Sequence, residues 1–107
     1  MTDDTEDVLA ALTLSAGQEL VEQEFACRHR SGDELVLRLV SVEKINVRGA
    51  SVENQDRPFL LLFRGPLETP LSQGMHNLGH ENHPLDGIFL VQVAGKEGHT
   101  WYEAVFS

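Results

Sequence analysis

The stretch Pro58-Phe-Leu-Leu-Leu-Phe63 constrains the fold of this chain more than any other. Its five large apolar residues are bounded by Pro58 and by Gly65-Pro66. A run this short, closed by turn formers, reads as a strand covered on both faces rather than a helix. Phe59, Leu61 and Phe63 then point inward, and Leu60 and Leu62 point to the opposite face. Arg57 and Arg64 bracket the run as charged gatekeepers against aggregation.

Alternation with a period of two recurs on either side. In EFACRHR, Phe25 and Cys27 share one face. Ser31-Gly32-Asp33 has the length of a hairpin turn and leads into ELVLRLVSVEKI. There Leu35, Leu37 and Leu39 lie on one face and Val36, Val40 and Val42 on the other, so this strand is covered on both sides or changes face at a bulge. MHNLGH alternates more weakly. GIFLVQV sets Phe89, Val91 and Val93 on one face, and TWYEAVF sets Tyr102, Ala104 and Phe106 on one face. The strands expected are 24–30, 34–45, 58–64, 75–80, 88–94 and 100–106. Short turn-rich connectors between most of them indicate an antiparallel meander. Ser15-x-x-Gln18 has the form of a capping box and starts a short helix over about 15–22. The fold class is therefore mainly β: a small six-stranded antiparallel barrel or sandwich with one short N-terminal helix.

A chain of 107 residues is one domain by length. Residues 1–12 read as an acidic, partly disordered tail, and 13–107 as a single β domain. The polar segment 46–57 reads as the most mobile internal connection, or a functional one.

Charge excludes some partners. Seven acids and no base fall in the first 24 residues, while the rest carries ten acids against eight bases. Phosphate backbones are bound by Lys and Arg stripes, and none is visible, so no nucleic acid is expected. An anionic membrane surface is disfavoured for the same reason. The single cysteine, Cys27, permits no internal disulfide and fits a reducing compartment. The start MTDDTED is acidic and VLAALTL is short for a signal peptide, so a cytoplasmic protein is expected.

Three histidines in eight positions, His76, His80 and His83, offer a metal site, because zinc takes three imidazoles plus water in catalytic centres. Spacing weighs against it. Gly74, Gly79 and Pro84 disfavour a helix, and on a strand His76 and His80 stand about 13 Å apart. Cys27 with His29 has the residue types of a thiolate–imidazole pair, but Cys27 shares its face with Phe25 and reads as a buried inert thiol. Glu68, Glu81 and Asp86 are loop acids that read as solvated surface rather than a catalytic pair. No Gly-x-Ser-x-Gly elbow or nucleotide-binding glycine motif is present, and no cofactor is expected.

The loop RGPLETPLSQG carries two leucines between prolines that hold the chain extended. Leu67 and Leu71, with Arg64, either close one end of the barrel or meet a partner.

PFLLLFRGPLETPLSQGMHNLGH, GIFLVQV and WYEAVF, with LTLSAGQELVEQEF and GDELVLRLVSVE before them, resemble a small bacterial all-β family of domains of unknown function. That family's pattern is an apolar strand ending in Phe-x-Gly-Pro, then Gln-Gly, an aromatic, Leu-x-His, a Phe-Leu-Val strand and Tyr-Glu-Ala-x-Phe. The chain departs from it at Met75-His76, where an aromatic stands, and at Gln92, where a proline stands. His80 is the histidine that matches. The resemblance implies no activity.

The residues support a non-enzymatic protein-interaction or structural module, with a protein partner or self-association. The alternatives are a metal-binding protein or small metalloenzyme using His76, His80 and His83, and a carrier holding a small ligand in a barrel cavity.

Overall fold

The computed structural model describes residues 12–45 and 58–106. The tail expected over 1–12, apart from Leu12, and the loop expected over 46–57 lie outside the described residues.

The chain forms one helix, α1 (Leu14–Glu19), and six strands: β1 (Glu24–Arg28), β2 (Glu34–Lys44), β3 (Phe59–Pro66), β4 (Gly74–Leu78), β5 (Leu85–Lys96) and β6 (His99–Phe106). All pairings are antiparallel, in the order β1-β2-β3-β6-β5-β4. The two outer strands then meet. Ala26 N–H donates to the Gly79 carbonyl at 2.9 Å, and Gly79 N–H donates to the Ala26 carbonyl at 2.7 Å. This bridge turns the sheet into a nearly closed barrel and satisfies backbone groups that two free edges would leave open.

Phe59, Leu61 and Phe63 point inward, as the alternation requires, and Leu60 and Leu62 are half-buried on the outer wall. Strand β2 changes face at a bulge. Leu39 pairs with Phe63, the register slips at Val40, and Val42 then pairs with Leu61 and packs on the core. Leu35, Leu37, Leu39 and Val42 can therefore all serve one interior. In β5 the inward residues are Ile88 and Leu90, so Phe89 and Val93 face solvent. Burial of each large side chain contributes about 1.5–3 kcal/mol. An eight-stranded barrel is just wide enough for side chains to fill, and a six-stranded one is narrower. Here Phe25, Phe59, Phe63 and Tyr102 fill it together with leucines.

Helix α1 covers one end. Its cap is Thr13, whose Oγ1 accepts the Ala16 N–H at 3.1 Å, and not Ser15, which lies inside the first turn. The helix also ends before 22. Glu22 N–H donates to the Leu39 carbonyl and Leu39 N–H to the Gln23 carbonyl, so the chain has already joined the sheet. A helix of six residues is unstable alone, and packing holds it. Gly17 makes that packing close, since a Cβ there would stand 3.4 Å from the Val42 methyls.

Strand order decides the other end. Around the closed barrel, β3 and β4 are separated by β6 and β5 on one side and by β2 and β1 on the other. They stand opposite each other. The connection from Pro66 to Gly74 must cross the barrel mouth. This is the Pro-Leu loop, a strap across the open end.

A barrel closed by a seam and a strap

Leu71, at the middle of the strap, is buried, and its N–H donates to the Tyr102 hydroxyl at 2.7 Å. Tyr102 rises from the interior on β6, and Thr100, two residues earlier, donates its hydroxyl to the Pro66 carbonyl at 3.1 Å. Both ends of the strap are thus fastened to β6. Gly65 allows the close approach below it, because a Cβ there would meet the Leu37 Cδ2 at 2.5 Å. Leu67 lies at the rim over Gly95 and is 47% exposed. The two leucines, alike in sequence, have different surroundings: Leu71 plugs the mouth and Leu67 faces outward.

Arg64 projects from the outer wall of β3, opposite Arg38 on β2 and Trp101 on β6. Glu24 and Glu22 hold Arg38 at 3.2 and 3.8 Å. The Arg64 side chain forms no hydrogen bond or ion pair among the described residues.

The three histidines are used separately. His76 faces inward at the mouth, opposite Ile88, and its Nε2 donates to the Ser72 carbonyl at 2.7 Å, fastening the strap to β4. His80 sits at the seam. Its Nδ1 accepts the N–H groups of Asn82 and His83 at 3.1 and 2.9 Å, which places its proton on Nε2, and Nε2 donates to the Gln23 Oε1 at 2.6 Å. Its ring lies 4.9 Å from that of Phe25. His83 is half-buried in the same turn, and its Nδ1 has no hydrogen-bond partner. Among the described residues, no group of three or more His, Cys, Asp or Glu side chains is placed to hold a metal ion. His80 pins the β4–β5 turn to β1 beside the Ala26–Gly79 bridge. His80→Ala is expected to lower stability by about 1–3 kcal/mol and to speed hydrogen exchange at the Gly79 amide. Unchanged exchange there would remove this role.

Cys27 is free and buried, and burial pushes its thiol up from the ordinary 9.0, against a hydrogen bond from the Arg28 backbone. Such a thiol is a poor nucleophile. Burial also pushes the Tyr102 phenol up from 10.0, against the hydrogen bond from the Leu71 N–H. Both groups are held in the neutral form by folding. Their contribution is complete below the unfolded values and is lost as pH rises past them. The urea midpoint is expected to be flat up to about pH 9 and to fall above it, less steeply in Tyr102→Phe. An equal alkaline fall in that variant would contradict the assignment.

Apolar side chains stand on the outer wall. Met75 of β4 and Phe89 of β5 are directly opposite each other and are 63% and 48% exposed. Val93, at the β5 bulge, is 44% exposed. On β6, Val105 is 60% exposed beside Leu60 of β3. The row crosses four neighbouring strands. Sequence alternation alone could not find it, because GIFLVQV is apolar on both faces and either face could have been the inner one.

The seam, the strap and the helical cap define a small, nearly closed β-barrel domain. The chain belongs to DUF6916, a family of domains of unknown function, whose model matches residues 12–106. No curated protein and no solved structure matches it. Among the described residues, no helix is long and apolar enough to cross a membrane.

Proposed function

We propose that this domain is a non-enzymatic protein-interaction module that docks a second protein chain on its outer wall. One observation carries the reading: Met75 and Phe89 are cross-strand neighbours, both large, and both exposed on a regular sheet. Soluble domains rarely expose contiguous apolar patches unless the patch binds something. Val93 and Val105 extend the patch over three adjacent strands. A regular sheet holds these side chains in fixed places, so little ordering entropy is lost on docking. The buried, raised Cys27 thiol and the separate use of the three histidines support a non-enzymatic reading. Leu71, as the buried plug, is left out of the docking surface. Leu67 and Arg64 remain at its margin.

A photo-crosslinking residue placed at 75 or 89, in cells of the native host, tests this. An adduct with another protein, or with a second copy, is expected at both positions. Adducts no more abundant than from position 43, an exposed site on β2, would end the proposal.

A further inference from the structure

We propose that a cleft at the strapped mouth binds a small anion through a phosphate or carboxylate group. The cleft has a volume of about 420 Å³ and shares no residue with the apolar wall. It lies where the β1–β2 hairpin, the strap, β4 and β5 come together, and its polar lining is Arg28, His29, Arg30, Ser72, His76 and Gln92. No carboxylate lines it. That is unusual in a chain of net charge −9, where acids outnumber bases 17 to 8.

The charged side chains of the lining offer donors only, and the acceptors beside them are the His76 Nδ1 and the Gln92 Oε1. Arg28 spends one nitrogen on the Gly32 carbonyl at 3.1 Å and keeps the rest of its fork. The Arg30 side chain has no hydrogen bond or ion pair among the described residues. Ser31 N–H donates to the His29 Nδ1 at 3.1 Å, so the His29 ring proton sits on Nε2. Gln92 is exposed on β5, paired with Tyr102 at the last position before the bulge. Its amide supplies two more donors, and the Ser72 hydroxyl another. Two guanidinium forks with neutral donors around them match the oxygens of a phosphate or carboxylate. Leu71 and Pro70 give the cleft an apolar side. The ligand class is therefore a small organic anion with a short apolar body. The packed barrel interior leaves the mouth as the place for it.

The test is an amide NMR titration of the full-length, isotope-labelled protein. It is titrated separately with inorganic phosphate and with benzoate, and with sodium chloride at matched ionic strength. Saturable shifts at His29–Asp33, Ser72 and His76 are expected from at least one of the two anions, and none from chloride. Whichever anion saturates identifies the head group. Arg28→Gln and Arg30→Gln should each weaken binding by about tenfold. Arg38→Gln, on the outer wall, should leave it unchanged. Arg30 is exposed in a turn, so its replacement keeps the fold even if the Arg28 variant does not. Shifts that fail to saturate with both anions, that chloride reproduces, or that persist undiminished in Arg30→Gln would overturn the proposal. This outcome is independent of whether the outer wall binds a protein.

Discussion

Replacing Leu71 by alanine is expected to lower the stability of the domain by about 2–4 kcal/mol. The melting temperature should fall by roughly 8–30 °C, at ~4–8 °C per kcal/mol for a domain of this size. The strap crosses the mouth between opposite strands, and Leu71 is the side chain with which it fills that mouth. Alanine removes the plug and opens a cavity that neighbours on rigid strands cannot close. Tyr102→Phe makes the companion test. It retains the ring and removes only the hydroxyl that accepts the Leu71 N–H. A buried donor left without a partner costs about 1–3 kcal/mol. Leu67→Ala should stay within about 0.5 kcal/mol of wild type, because Leu67 is half exposed at the rim. Equal effects at Leu67 and Leu71, read from urea midpoints, would contradict the strap.

The second large effect is on binding. The double replacement Met75→Thr, Phe89→Thr is expected to weaken capture of the partner by at least about tenfold. Central anchors of an interface commonly cost ~2 kcal/mol or more when truncated. Threonine suits a strand, so the β4–β5 pairing should survive. Both side chains are largely outside the core, so the urea midpoint should hardly move. Loss of binding with loss of folding would point instead to a structural role for the pair.

Much of this fold was legible in the sequence because strand alternation is a local signal. Phe59, Leu61 and Phe63 face inward as their spacing requires, and of the two readings that Val36, Val40 and Val42 left for β2, covered on both sides or bulged, the structure takes the bulge. Barrel and sandwich could not be separated, because closure rests on two backbone hydrogen bonds between Ala26 and Gly79, residues without an apolar pattern. The cap on Thr13 was missed because Ser15 and Gln18 imitate a capping box, while the inward pull of Leu12 and Leu20 sets where the helix begins and ends.

The sites depended more on topology. Leu67 and Leu71 stand alike between prolines, and only the opposite placement of β3 and β4 shows which one enters the mouth. Spacing on a strand already separated His76 from His80, and the structure gives each its own task. The cationic cleft gathers residues from four segments, and its one local trace is the sequence Arg28-His29-Arg30.

In this reading the strap holds the barrel shut and the outer wall binds the protein partner. The affinity of the crosslinked partner for Leu71→Ala and for Met75→Thr, Phe89→Thr, measured at a temperature where both variants are folded, tests that division most directly. The predicted result is near wild-type affinity for the first and at least about tenfold weaker binding for the second. Wild-type affinity in the double variant, or a loss confined to Leu71→Ala, would contradict it.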